Sequence, residues 1–510
     1  MTMTRYRFRC RLAAAALALN ALAAAAAGAQ ALPSLASVAV GYNTQKTQVK
    51  PAGDLKAAID ALDREIAEAT RLGRTGELRR LYAKGQALLS GRAWTDRLDF
   101  AQSLVLRTDR VIVDPSSAWS VRLEQIYEPT LAIDRPLLAT IVLRPAQGGA
   151  QAPITRDFGK RDGVARDLRE SPLKLDLDLT GVADGAYRLV VDVSDGSAVI
   201  GSATRAIAIA RGLDAAIARL KVLASSAPEP VRADILYPSD RIRLINAGLL
   251  PLAQFDSARE LADAEAVATA AATGKDPFEG RTGDLKRHYL LESAGEIMPF
   301  RLYVPANYTP SKTWPLLIAL HGLGGDENAF FDRYDGQLQK LAEQYGMLVA
   351  APLGYRPDGW YGWPVAINRN DPEAVRTIQR SEDDVMQVLA RMKRQYTVDD
   401  ARIYLMGHSM GAIGTWFLAP KYPDVFAAIG LFAGIGDPAS LERITHVPEF
   451  IVHGDKDATV DVSNSQRMVA AAKTLGIDVM YIEVAGGGHV DVVVPNLPAM
   501  FEFLSKRAKR

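Results

Sequence analysis

The pentapeptide Gly-His-Ser-Met-Gly at residues 407–411 constrains the fold of this chain more than any other feature. A short apolar run at 402–406 precedes it, and an apolar helical pattern follows at 412–420. A serine between two glycines at a strand-to-helix junction is typical of a nucleophile elbow, because the glycines allow a sharp turn and a close approach of helix to sheet. The pattern predicts that Ser409 projects from the end of a strand in a largely parallel sheet.

The last part of the chain, 284–510, alternates apolar strands with amphipathic helices. This rhythm predicts an α/β fold of the α/β-hydrolase type, with a mostly parallel sheet flanked by helices. Ahead of it we predict a helical segment at 30–110, a β-sandwich at 111–210, and a second helical segment with a linker at 211–283. The sandwich prediction rests on short alternating strands separated by Asp/Gly turns.

The first residues have the features of a secretory signal peptide. Arginines occupy alternate positions from 5 to 11, an Ala/Leu-rich run follows at 12–27, and small residues end the segment at 29. The apolar run is shorter than the ~20 residues of a membrane span, so we predict a signal peptide at 1–29 and an exported protein, periplasmic or secreted. Cys10, the only cysteine, would be removed with it. Disulfides, cysteine–metal sites and a cysteine nucleophile are then excluded.

The charge balance and the absence of certain motifs limit the partners and cofactors that we expect for this chain. The chain has 60 basic and 59 acidic side chains, a net charge of +1, which disfavours nucleic acid and anionic membranes as partners. There is no His-Glu-x-x-His pattern and no phosphate-binding glycine loop after a strand, so we expect neither a metal nor a cofactor. The oligomeric state is left open.

A serine hydroxyl needs a base to take its proton, and in this fold the chain order is serine, acid, histidine. His489, in a Gly-Gly-Gly-His loop after the predicted strand 479–484, is the histidine in the required place. Three aspartates precede it after the strand at 450–452: Asp455, Asp457 and Asp461. Asp457 is placed one turn beyond the strand and is our prediction for the acid, with Asp455 as the alternative.

Acyl transfer also needs donors for the oxyanion. The backbone N–H of Met410, next after the serine, is one predicted donor. The other is the N–H of Leu323, in a His-Gly-Leu-Gly-Gly loop after the strand 316–320. We interpret His321 of this loop as a structural residue.

Two further segments were interpreted from their composition. Trp360 and Trp363 follow the predicted strand 347–352, at the edge where ligands enter such sheets. They either grip a phenolic or acyl group or pack a lid. The Ser-Glu-Asp-Asp run at 381–384 is interpreted as a helix N-terminus with a serine cap and favourable acids, not as catalytic carboxylates.

Residues 314–325, 402–416 and 422–428 resemble the secreted esterases grouped with feruloyl esterases and polyhydroxybutyrate depolymerases, a group that includes predicted peptidases related to prolyl oligopeptidases. The spacing from His453 to Asp457 is similar to theirs as well and supports the choice of acid. Where these relatives have a second glycine after the elbow, this chain has Ala412.

The resemblance covers about 285–504 and implies hydrolysis of a small-molecule or polymer ester through an acyl-enzyme on Ser409. It also implies an immunoglobulin-like accessory region in the sandwich. A peptidase or amidase, an acyltransferase, and a non-catalytic carbohydrate- or wall-binding protein are the alternatives. The chain shows no propeller repeat of the kind that precedes many prolyl oligopeptidase-type peptidases, which favours the esterase.

Overall fold

The structure, a computed structural model, describes residues 35–146, 155–196, 198–253, 255–364 and 372–509. The predicted signal peptide at 1–29 lies outside the described residues. Within these ranges, no helix combines the length and the hydropathy that a bilayer crossing requires.

Helices open the described chain: α1 (Leu35–Val49), α2 (Gly53–Arg71), α3 (Thr75–Leu89) and α4 (Asp96–Ser103). Helix α2 buries Ile59, Leu62 and Ile66, which recur at three- and four-residue steps and so lie on one face. This face packs against α3, as the periodicity predicts. Helix α1 packs on the same pair at Gly85, where any side chain would collide with the ring of Tyr42.

Two antiparallel-rich sheets follow, built from short strands: β1 (Leu104–Thr108), β2 (Ile112–Val113), β3 (Ser120–Gln125), β4 (Leu137–Pro145), β5 (Arg156–Val164), β6 (Leu173–Asp176), β7 (Gly185–Ser194) and β8 (Val199–Ile209). The order is β1-β3-β6 in one sheet and β2-β8-β7-β4-β5 in the other. Their inward side chains, among them Val121 and Ile141, share one apolar cluster. The first strand begins at Leu104, ahead of the boundary at 111. The domain boundaries and the immunoglobulin-like character stay predictions.

The second helical segment contains α5 (Leu213–Ser226), α6 (Glu229–Asn246) and α7 (Ser257–Ala271). Helix α6 packs against the two strands that begin the last region of the chain. The contact is charged as well as apolar: Asp234 of α6 lies 3.2 Å from the guanidinium of Arg287, and both side chains are almost fully buried.

The described residues of the last region form eight strands and six α-helices: β9 (Gly283–Leu291), β10 (Glu296–Val304), β11 (Trp314–Leu320), α8 (Ala329–Asp332), α9 (Gln337–Tyr345), β12 (Leu348–Pro352), α10 (Pro372–Gln395), β13 (Val398–His408), α11 (Met410–Lys421), β14 (Ala428–Phe432), β15 (Glu449–Gly454), α12 (Ser463–Thr474), β16 (Val479–Val484) and α13 (Val493–Ser505). The sheet order is β16-β15-β14-β13-β11-β12-β10-β9. Pairing is parallel from β16 to β12, and β10 and β9 join antiparallel at the edge. This is the predicted α/β-hydrolase fold.

The burial pattern of this sheet is typical of parallel strands. Every residue of β11 and of β14 is buried, which is the pattern of a sheet covered by helices on both faces. Alternate residues of β11 point to opposite faces: Leu316 and Ile318 join one apolar cluster, and Leu317 joins the other. By contrast, β4 alternates buried and half-buried residues along its length, as a strand with one covered face does.

The interpretation of residues 381–384 as a helix N-terminus is wrong. Helix α10 begins at Pro372, so the run lies in its middle. Ser381 and Asp384 are fully buried and accept hydrogen bonds from the backbone N–H groups of Tyr361 (2.9 Å) and Tyr355 (2.8 Å), respectively. The two side chains thus supply hydrogen-bond acceptors to backbone N–H groups of a loop that crosses the helix. A capping pattern in the sequence does not distinguish this role from that of a helix N-terminus.

Candidate active site

The turn at Ser409 joins β13 to α11. Its backbone lies in a strained region, with φ 55° and ψ −117°, which a non-glycine residue adopts only where the surroundings enforce it. A side chain at Gly407 would overlap Gly411, and one at Gly411 would overlap the carbonyl of Leu320 on the neighbouring strand. The two glycines therefore allow the helix to begin directly against the sheet, with the serine at the turn.

A chain of hydrogen bonds runs from Ser409 through His489 to Asp457. The serine hydroxyl lies 2.9 Å from Nε2 of His489, and Nδ1 of the same ring lies 2.6 Å from a carboxylate oxygen of Asp457. The aspartate accepts from Nδ1–H, which leaves Nε2 free to accept from the serine. The three predicted residues, distant in sequence, meet at the carboxyl edge of the sheet because they follow β13, β15 and β16, which run parallel in the same sheet.

The carboxylate of Asp457 is held in its charged form. Burial opposes ionisation, but hydrogen bonds from His453 and His489 and from the N–H of Val460 outweigh it and lower the pKa of Asp457 well below its usual range. The alternative acid is engaged elsewhere: Asp455 accepts from the N–H of Gly486 at 2.7 Å.

His453, which sequence reasoning set aside, is fully buried beneath this carboxylate. Its Nε2 faces the carbonyl of Val460 at 2.9 Å and Asp457 at 3.2 Å, so this nitrogen carries the proton, and Nδ1 accepts from the hydroxyl of Ser465 at 2.7 Å. The sequence signal was its position directly before the loop that carries the acid.

His408 was also missed, although it lies inside the diagnostic pentapeptide. Its Nε2–H donates to the backbone carbonyl of His489 at 2.8 Å. Burial, reinforced by the neighbouring His489, lowers the pKa of His408 to about 4, so the ring is neutral at physiological pH. His408 thus ties the loop of His489 to the serine turn.

The predicted oxyanion donors both line the cavity above the serine. Within the described residues, neither the N–H of Leu323 nor that of Met410 donates to a protein acceptor. The loop lies close to the nucleophile, since a Cβ added to Gly322 would lie 3.4 Å from the Cβ of Ser409. His321 has both ring nitrogens against backbone carbonyls, at 2.8 and 2.7 Å, a structural arrangement.

The cavity has a volume of about 680 Å³. Its apolar wall consists mainly of Leu323, Phe330, Trp360, Trp363, Ile413 and Ile435. Trp360 and Tyr361 both have positive φ values, 61° and 51°, in a turn held by the buried Ser381. This turn directs the tryptophan towards the cavity, and Trp363 packs edge-on against Phe417.

Two parts of the lining were not predicted. Helix α1 contributes Asn43, Thr44 and Thr47, and the residue after α8, Arg333, contributes a cation. In the part of the chain that the structure describes, no group of three or more His, Cys, Asp or Glu side chains is arranged to hold a metal ion.

The chain was compared with known proteins. A family model described as "Putative esterase" matches residues 292–484, a range that includes Ser409 and Asp457 and ends before His489. A bifunctional acetylxylan esterase/xylanase from Neocallimastix patriciarum is 30% identical over 169 residues, 33% of this chain and 22% of that protein. Feruloyl esterase B from Talaromyces stipitatus is 28% identical over 168 residues, 29% of this chain and 43% of that protein. The chain thus spans less than half the length of these curated relatives.

Among solved structures, a thermostable esterase is similar over 80% of this chain and all of its own, with 16% identity and a TM-score of 0.39. A ferulic acid esterase from Anaeromyces mucronatus, in complex with ferulic acid, is similar over 46% of this chain and 93% of its own, with 16% identity and a TM-score of 0.37.

Proposed function

We propose that this protein is a serine esterase that hydrolyses carboxylic esters through an acyl-enzyme on Ser409. The observation that carries the proposal is the hydrogen-bonded chain from Ser409 through His489 to the ionised Asp457, open to a cavity. The match to an esterase family model over residues 292–484 supports the same reaction class.

In the proposed mechanism each of these groups has a role. The Ser409 oxygen attacks the ester carbonyl while His489 Nε2 takes its proton, and Asp457 stabilises the imidazolium. The tetrahedral oxyanion accepts hydrogen bonds from the N–H groups of Leu323 and Met410. Because these donors lie at the serine, they stabilise the negative charge that develops on the carbonyl oxygen. His489 then returns the proton to the leaving alkoxide, and water, activated by the same histidine, releases the acid.

The substrate is a small-molecule or polymer ester with an acyl or phenolic part that the aromatic wall contacts. The names of the relatives, acetylxylan esterase and feruloyl esterase, favour esters carried on plant polysaccharides. Trp360 and Trp363 offer flat apolar surfaces for such a group. The signal-peptide pattern at 1–29 supports an exported enzyme, periplasmic or secreted.

The test is hydrolysis of para-nitrophenyl esters from acetate to octanoate, beside a para-nitroanilide peptide, with the wild type and Ser409→Ala. We expect ester turnover that falls at least about 10⁴-fold in the variant, whose circular dichroism stays that of the wild type. Turnover of the anilide but not of the esters would contradict the esterase proposal and indicate a peptidase. Full ester turnover in Ser409→Ala would overturn the mechanism.

A further inference from the structure

The charge around the cavity is unbalanced, and this bears on the substrate of the proposed esterase. Among the described residues that line the cavity, Arg333 is the only lysine or arginine, and none is an aspartate or a glutamate. Within this described lining, a negatively charged group that enters would therefore meet one guanidinium and no repelling carboxylate.

The guanidinium of Arg333 has no partner among the residues that the structure describes. It forms no ion pair or side-chain hydrogen bond to any described residue, and the side chain is exposed. The adjacent carboxylate, Asp332, is paired with Arg301 at 3.0 Å. Other arginines of the region are paired too: Arg356 lies 2.8 Å from Glu296, for example. An arginine left unpaired at the mouth of the cavity is available to a ligand.

The charge of Arg333 acts on His408, the residue next to Ser409. Burial is the largest cause that lowers the pKa of His408, followed by the charge of His489, and the charge of Arg333 acts in the same direction. His408 contacts the loop of His489, and Arg333 lines the same cavity as Ser409, so a group bound at the serine lies within the cavity that this guanidinium borders.

Another part of the described lining is polar but uncharged. Helix α1 places Asn43, Thr44 and Thr47 there. The cation of the same helix, Lys46, faces away and is paired with Asp63 at 3.0 Å. The described lining thus combines neutral hydrogen-bonding groups from α1 with the positive charge of Arg333.

We propose that Arg333 is a specificity-determining residue that binds a carboxylate carried by the ester substrate, so that the enzyme prefers anionic esters to neutral ones. The planar guanidinium can donate two parallel hydrogen bonds to a carboxylate, which a neutral ester of the same shape cannot accept as strongly. This inference rests on the proposed function. The carboxylate belongs either to the alcohol part or to the acyl part of the ester.

The experiment compares matched esters that differ in one negative charge. For the alcohol part, the pair is para-acetoxybenzoate and its methyl ester; for the acyl part, it is mono-para-nitrophenyl adipate and para-nitrophenyl hexanoate. The readout is the ratio of kcat/KM for the anionic ester to that for the neutral one. Wild type, Arg333→Gln and Arg333→Lys are measured beside Arg443→Gln, which removes a charge from an exposed arginine outside the cavity lining.

In one of the two pairs we expect the ratio to fall about tenfold in Arg333→Gln, a value at the low end for a charged hydrogen bond because solvent screens this site. Arg333→Lys should keep part of the ratio and Arg443→Gln all of it, and added salt should lower the wild-type ratio. The pair that responds identifies the part of the ester that carries the carboxylate.

An unchanged ratio in both pairs for Arg333→Gln would overturn the inference. Failure of the proposed function looks different, because hydrolysis of the neutral esters would then persist in Ser409→Ala. Since Arg333 is exposed and unpaired, its replacement leaves the fold intact, which circular dichroism checks.

Discussion

Two histidine–aspartate pairs, His489–Asp457 and His288–Asp234, lie in different surroundings, the first at an open cavity and the second in the protein interior. The first reaches a serine at an open cavity. The second is buried between α6 and β9, with 3.1 Å between Nδ1 of His288 and the carboxylate, and with the histidine ring stacked on Tyr237.

Their surroundings explain the difference. Burial lowers the pKa of His288 despite its hydrogen bond to Asp234, and its Nε2 has no hydrogen-bond partner among the described residues. Arg287 shares the same aspartate. The buried pair thus joins two parts of the chain, whereas the pair at the sheet edge presents a nitrogen that accepts a hydrogen bond from the hydroxyl of Ser409. A histidine–aspartate contact indicates catalysis only where the second nitrogen meets a reactive group.

Matched substitutions should separate the two pairs most strongly. Asp457→Asn removes the acceptor that fixes the tautomer of His489, and we expect kcat to fall about 10⁴-fold with little change in the thermal midpoint. Asp234→Asn leaves the buried Arg287 with only the more distant carboxylate of Asp276, at 3.7 Å, and we expect a loss of roughly 3 kcal/mol in unfolding free energy with kcat retained. Both variants are measured by ester kinetics and by urea unfolding. A loss of stability in Asp457→Asn together with a loss of kcat in Asp234→Asn would refute the distinction between the two pairs.

Variants of His408 measure how far the proposed role of His489 depends on the hydrogen bond that His408 donates to its backbone carbonyl. His408→Ala removes the donor to the carbonyl of His489, and because a displacement of about 1 Å can cost 10²-fold, we expect kcat to fall by about 10–100-fold while KM stays near the wild-type value. His408→Gln retains an N–H donor and should restore part of kcat. Equal losses in both variants would show that packing, and not this hydrogen bond, is responsible.

Glu449 provides the smallest expected effect and a contrast with Asp457. This carboxyl is fully buried with only a 3.5 Å contact from the Trp416 ring N–H, and burial raises its pKa to about 8. Because the folded pKa is above the unfolded value, the stabilising contribution is complete at acid pH and is lost as the pH rises through 8.

The thermal midpoint of the wild type should therefore decrease between pH 6 and pH 9, by about 2–4 °C for each kcal/mol lost. Glu449→Gln, which has no titrating proton, should reduce this decrease. The same slope in both proteins would mean that other groups cause it.

The sequence predicted the parts of the site that depend on local order. The glycines around Ser409 and the loop before His489 are constraints on neighbouring residues, so short motifs reveal them. The contribution of α1 to the cavity depends instead on how a helix at residues 35–49 docks on a sheet formed hundreds of residues later, and no periodicity carries that information. The same holds for the contact between Asp234 and His288, which joins separate elements.

Misinterpretation of Ser381 has a related cause. A serine followed by acidic residues favours a helix N-terminus, but here the apolar positions of α10 continue on both sides, with Ile378 before the run and Val385 after it. The loop that uses Ser381 and Asp384 as acceptors lies elsewhere in sequence, so the tertiary contact determines their role.

The central claim is that Ser409 is the activated nucleophile, and covalent labelling tests it most directly. The full chain is treated with a fluorophosphonate ester, digested, and analysed by mass spectrometry, beside Ser409→Ala and His489→Ala. We predict a single adduct on Ser409 in the wild type, none in Ser409→Ala, and greatly slowed labelling in His489→Ala. An adduct on a different serine, or labelling of Ser409 at the same rate without His489, would contradict the account.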